Sequence, residues 1–188
     1  MTAPVGVTRL LLVSHASTAA TARAAFPGDE PLDGPGLRRA AGLTPRIGPG
    51  GAVVRAAELR CVQTAEALGL RALPDPLLAD CDYGRWGGRT LAEVEAAEPE
   101  ALAAWLTEPA AAPHGGESIA DLLGRVAGWL SGRAPGRIVA VTHPPIIRAA
   151  IVHALGAPAP AFWRVDVAPL ARVALTGRGG RWRLSCSV

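Results

Sequence analysis

The sequence predicts an α/β fold, a three-layer α/β/α sandwich with a mainly parallel sheet. Three observations predict it. Strand-like and helix-like segments alternate along the chain, the arrangement that covers both faces of a parallel sheet with helices. The runs LLLV at 10–13 and IVAV at 138–141 are continuously apolar, as strands buried on both faces are. Each run leads to a histidine, His15 and His143, so both imidazoles are expected at the carboxyl edge of the sheet, where such sheets gather ligands.

Taken in order, the first strand lies in VTRLLLVS from residue 7 and delivers His15 into the small and hydroxylated residues AST. A loop rich in Ala, Thr, Gly, Asp and Pro follows over 16–35, then a short helix over 36–43. Residues 48–51 read as a turn and 52–54 as a second strand. In ELRCVQTAEALGL, 58–70, Leu59, Val62, Ala65 and Leu68 recur at helical spacing, and Gly69 suits a C-cap. The stretch 74–88 is irregular and polar. Helices are expected over 90–98 and 99–106, with Pro99 tolerated in a first turn. Another starts at Glu117 or Ser118 and runs to Leu130, carrying Ile119, Leu122, Leu123, Val126 and Trp129. RIVAVT, 137–142, is the cleanest strand, and the helix opened by Pro144 and Pro145 spans 146–155. Residues 162–188 supply two or three antiparallel strands with a turn at 177–180. No repeat, low-complexity tract or linker interrupts this order, so 1–188 reads as one domain.

Apolar residues make up 49% of the chain and the mean hydropathy is +0.24, ample for a sizeable core. All 19 basic residues are Arg, against 16 Asp and Glu, for a net charge of +3. They are scattered and lack interleaved aromatics, so nucleic acid is not an expected partner, whereas a pI of about 9.2 suits small anions. Cys61, Cys81 and Cys186 are odd in number and lack C-x-x-C spacing, which fits a reducing compartment better than a zinc or dithiol site. The first apolar run has about four strongly apolar residues and no basic region before it, too short for a signal peptide. Nothing approaches the roughly 20 apolar residues of a membrane helix. A cytoplasmic protein without a membrane partner is expected.

Arg60 falls in the first turn of the helix after the second strand, near the edge that carries both histidines. One histidine at a strand end is an ordinary structural residue; two at equivalent ends, with an arginine beside them, point to an anion site. Arg suits phosphate because its planar fork donates two parallel hydrogen bonds.

The motifs S-H-A-S-T at 14–18, A-E-L-R-C-V-Q-T-A at 57–65, L-A-D-C-D-Y-G-R-W-G-G at 78–88, G-G-E-S at 115–118 and V-T-H-P-P-I-I-R at 141–148 stand in register. In that order they resemble the histidine phosphatase superfamily, the group similar to cofactor-dependent phosphoglycerate mutases. Its motifs are R-H-G-E-T, S-x-x-x-R-x-x-Q-T-A and an acidic residue shortly before G-x-W-x-G; Leu32-Asp33-x-x-Gly36 echoes its L-T-x-x-G. The resemblance covers nearly the whole chain.

It implies that His15 is a nucleophile forming a phosphohistidine and that Arg60 and His143 hold the transferring phosphoryl group. Asp80 corresponds to the general acid, with Asp82 a rival close in sequence. Ser118 would cap its helix. The implied catalytic set is His15, Arg60, Asp80 and His143, and the implied phosphate pocket is Ser14, Arg60, His143 and Thr21, with no cofactor and no metal. The partner is a small phosphorylated metabolite and the assembly a monomer or homodimer. Lack of long insertions favours a hydrolase over a mutase.

The chain departs from the pattern at three places. Ser14 stands where the family has the phosphate-gripping Arg, and losing such a charge costs about 1.5–3 kcal/mol in binding. Pro144 removes a backbone donor after His143. Ala16 and Thr21 replace Gly and Asn. Arg23, in the following loop, is the expected stand-in for the missing Arg, since strand alternation and helix phase direct Arg9 and Arg148 elsewhere. Two functions follow: a phosphomonoester hydrolase, or alternatively a catalytically impaired member that binds an anionic ligand or a protein partner.

Overall fold

The computed structural model describes residues 6–43 and 51–185. Residues 48–50 of the expected turn and Cys186 lie outside them.

The central strand β1 (Val7–Ser14) is the first one made. Next in the chain come β2 (Ala52–Arg55) and the two-residue β3 (Leu73–Pro74), then β4 (Gly136–Thr142), β5 (Arg172–Arg178) and β6 (Arg181–Ser185). The sheet order is β3-β2-β4-β1-β5-β6. The first four of these pair in parallel, and the β5–β6 hairpin adds antiparallel to β1, so the sheet is mixed, with an antiparallel end.

Seven α-helices occur among the described residues: α1 (Ala19–Ala22), α2 (Gly34–Ala41), α3 (Leu59–Ala67), α4 (Leu91–Ala97), α5 (Pro99–Thr107), α6 (Ile119–Ser131) and α7 (Pro144–Leu155). The helices α6 and α7 pack together, with α7 against β1. The helix α2 packs on α3, which covers β2 and β4. Leu11, Val13 and Val139 meet Leu68 of that layer, while Leu10 and Leu12 alternate to the other face, each buried. The fold is therefore the α/β sandwich that the alternating pattern predicts.

Several boundaries differ from expectation for local reasons. The stretch 16–35 is not all loop: Thr18 accepts from Thr21 N and caps the single turn of α1. The helix α2 begins earlier, at Gly34, because Asp33 Oδ1 accepts from Gly36 N at 2.6 Å. Within 74–88, 3₁₀ turns at Pro76–Leu78 and Gly84–Trp86 replace irregular chain. The segment from residue 162 is no strand at first: Phe162 is pinned in the core by a 3₁₀ stretch, Ala159–Arg164, and among the described residues two strands follow. Gly177 belongs to β5, and the hairpin turns at Gly179 and Gly180, whose φ values are +57° and +78°.

Behind the loop that follows β3 lies a cluster of rings, Phe26, Tyr83, Trp86, Trp105 and His114, with centroids 4.9–6.4 Å apart. It fixes the segment that carries Asp80 and Tyr83. The chain crosses itself there closely enough that a Cβ on Gly116 would overlap the Asp82 carbonyl, which accepts from Glu117 N at 2.8 Å. Trp163 packs edge-on to Trp105 and Trp182 is buried, so both rings serve packing.

Candidate active site

The register sets Ser14 opposite Thr142 at the carboxyl ends of β1 and β4. His15 and His143 follow directly, and His15 N donates to Thr142 O at 2.9 Å. Their rings meet edge-on with centroids 5.3 Å apart. His15 Nδ1 lies 2.7 Å from the Ala16 carbonyl. A carbonyl only accepts, so Nδ1 carries the proton and Nε2 keeps its lone pair. Burial, reinforced by the neighbouring His143 cation, lowers the His15 pKa to about 4, so the ring is neutral at pH 7. Ala16 N donates to Thr64 Oγ1 at 3.0 Å, and that hydroxyl donates to the Arg60 carbonyl at 2.7 Å. The loop after His15 is thereby tied to α3.

Arg60 is almost wholly buried, and its fork is spent within the protein. Nη2 meets Asp80 Oδ2 at 2.7 Å and Nη1 donates to the Gly28 carbonyl at 2.5 Å. His143 is bracketed by two carboxylates, with Nδ1 3.3 Å from Asp80 Oδ2 and Nε2 3.2 Å from Glu58 Oε2. Burial opposes charge on His143, but Asp80, Cys61 and Glu58 outweigh it and raise its pKa to about 10. Arg60 Nε approaches His143 Nδ1 to 3.2 Å, which is a hydrogen bond only when that nitrogen lacks a proton. In the doubly protonated ring both groups are donors that share Asp80. Glu58 follows the same logic in reverse: burial favours its neutral form, yet the hydrogen bond and charge of His143 lower its pKa to about 2.

A cavity of about 210 Å³ opens beside His15. Thr18, Thr21, Asp80, Tyr83 and Arg148 line its polar side, and small apolar residues, Pro144 and Pro145 among them, line the rest. The structure thus brings together His15, Arg60, Asp80 and His143. Thr21 reaches the cavity but also accepts from Thr18 N at 3.3 Å, closing the capping box of α1. Ser14 is fully buried and absent from the lining; strand alternation turns it from the face of Val13, and its Oγ is 3.5 Å from the His15 carbonyl. Asp82 is exposed and accepts from Gly84 N at 2.8 Å, a turn contact outside the cavity. Ser118 Oγ accepts from Asp121 N at 3.1 Å and caps α6.

Two expectations about arginines are corrected. Arg23 is exposed and does not line the cavity, whereas Arg148 does. The buried run on α7 skips residue 148 and leaves it half-buried on the cavity side. Glu58, Tyr83 and Cys61, whose Sγ is 3.5 Å from His143 Nε2, were not singled out from the sequence. Their partners are tens of residues away, and only the E-L-R-C string beside Arg60 hinted at two of them. Among the described residues, no group of three His, Cys, Asp or Glu side chains is placed to hold a metal ion. Also among them, no helix is long and apolar enough to cross a membrane.

Several known proteins resemble this chain. The bifunctional protein Rv2228c of Mycobacterium tuberculosis is 37% identical over 128 residues, 63% of this chain and 35% of that protein. Phosphoserine phosphatase 1 of Hydrogenobacter thermophilus is 31% identical over 110 residues, 56% of this chain and 52% of that enzyme. The matches therefore span about a third to a half of these curated relatives. Among solved structures, mycobacterial glucosyl-3-phosphoglycerate phosphatase Rv2419c, in complex with VO3, superposes with a TM-score of 0.80 at 28% identity, covering 94% of this chain and 96% of that one. The family model described as histidine phosphatase superfamily, branch 1, matches residues 10–187, a span that includes both histidine-bearing strand ends. By that match the chain belongs to the histidine phosphatase superfamily.

Proposed function

We propose that the chain is a phosphomonoester hydrolase acting on a small phosphorylated metabolite through a phosphohistidine on His15. The observation that carries this reading is a neutral His15 whose Nδ1–H is fixed on the Ala16 carbonyl, leaving Nε2 as a free nucleophile at the cavity. Its similarity to a phosphoserine phosphatase and to glucosyl-3-phosphoglycerate phosphatases supports the substrate class. A cytoplasmic setting belongs to the same reading, supported by the free thiols of Cys61 and Cys81.

In this mechanism His15 Nε2 attacks phosphorus in line, forming the N–P bond as the ester P–O bond breaks. Arg60 and His143 neutralise charge on the phosphoryl oxygens. The entering phosphoryl dianion takes over the two cations that Asp80 holds. Asp80 then faces an anion, which favours its protonated form, and it passes that proton to the leaving alkoxide. Water, deprotonated by Asp80, next attacks phosphorus, releasing inorganic phosphate and neutral His15.

Incubation with an aryl phosphate tests the proposal. Turnover that His15→Ala removes, with phosphate trapped on His15 after rapid acid-free quenching, is the expected result. Failure of the folded protein to hydrolyse any of a broad phosphomonoester panel would overturn it. The second reading, an anion binder without turnover, draws on one feature: Ser14 is uncharged and turned from the cavity.

A further inference from the structure

The charges around His143 cancel before any ligand arrives. Arg60 and His143 are each paired with carboxylates, Asp80 and Glu58, at 2.7–3.3 Å. A phosphate dianion entering beside His15 brings two charges with no counter-charge. Protonation of Asp80 answers one of them. The other needs a cation that is not already spent.

Arg148 is the one cationic side chain among the described residues lining the cavity, because the His15 ring is neutral there. Its guanidinium carbon lies 5.7 Å over the Phe162 ring, a cation–π contact that uses none of its donors. Its Nε is buried without a hydrogen-bond partner, and the side chain forms no ion pair with any described residue. A buried N–H left unpaired is costly unless something reaches it. Resting on the function proposed above, we infer that Arg148 grips the phosphoryl group and supplies the charge that Ser14 lacks. The phosphate-binding arginine of this chain thus comes from the helix after the second histidine, and not from the residue before the first.

Calorimetric titration with inorganic phosphate tests the inference independently of turnover. The proteins compared are wild type, Arg148→Gln, Arg148→Lys and Arg23→Gln, each checked by thermal melting. Arg148→Gln is expected to weaken phosphate by about tenfold or more, Arg148→Lys by less, and Arg23→Gln not at all. Phosphate affinity unchanged in a folded Arg148→Gln, or undetectable in wild type, overturns the inference. So does a loss confined to esters with a second anionic group, phosphoserine against phenyl phosphate, since Arg148 would then serve the leaving group. None of these outcomes bears on whether His15→Ala abolishes turnover, so failure here is separable from failure of the hydrolase reading.

Discussion

Arg60 Nη2 and Asp80 Oδ2 stand 2.7 Å apart, with only 2% and 9% of their side chains exposed. In the mechanism proposed above, Asp80 thus occupies the guanidinium that a phosphoryl oxygen would take. A ligand must displace that carboxylate before Arg60 can turn to it.

Asp80→Asn removes the internal competitor and a negative charge while keeping the shape. Inorganic phosphate is expected to bind several-fold more tightly to this variant, and phosphomonoester turnover to fall by roughly 10²–10⁴-fold through loss of the acid–base group. Calorimetry and steady-state rates measure both. Weaker phosphate binding, or turnover near the wild-type value, would contradict the competitor role.

The His143–Glu58 pair makes stability depend on pH at both ends. His143 has its pKa raised from 6.5 to about 10, so its contribution is fully present below pH 6.5 and is lost as pH rises toward 10. Glu58 has its pKa lowered from 4.5 to about 2, so its share is present above pH 4.5 and is lost as pH falls toward 2. Glu58→Gln takes away one anion that keeps His143 charged. Differential scanning calorimetry from pH 6 to 10 should show an alkaline decline in Tm that begins near pH 6.5 in both proteins but is smaller and ends at lower pH in this variant. Superimposable profiles would mean that Asp80 and Cys61 set the charge on His143 without Glu58.

Thr64 receives the Ala16 amide and donates to the Arg60 carbonyl, so Thr64→Val orphans a buried N–H next to His15. Urea unfolding is expected to show a loss of about 1–3 kcal/mol, and Thr64→Ser should recover most of it. Equal losses in both variants would assign the effect to packing.

The parallel core was readable because LLLV and IVAV are continuous apolar runs, and strands buried on both faces need nothing else to be recognised. Placing His15 and His143 side by side followed from those runs ending in histidine. Elements of two to four residues, β3 and α1, were not readable, since a period cannot show itself over so few positions. The cap of α1 was hidden because Thr21 does the work usually given to Glu or Gln. Glu58 escaped for another reason: its partner His143 is 85 positions further on, and only the β2–β4 pairing brings them together. For Arg148, helix phase was judged against the sheet, but the cavity lies to the side of α7 and takes a residue that the sheet does not.

The position of β1 also governs how the protein comes into being. Its two neighbours in the sheet, β4 and β5, begin at residues 136 and 172, so a ribosome has made most of the chain before either edge of β1 can be covered. Until then a nascent apolar strand waits with both edges bare, the kind of segment that recruits other copies into aggregates or calls on a chaperone. Folding that relies on such distant pairing is slow, and the segment that carries His15 is among the last to find its walls. The surroundings of His15 are thus complete only once the β5–β6 hairpin has joined the sheet.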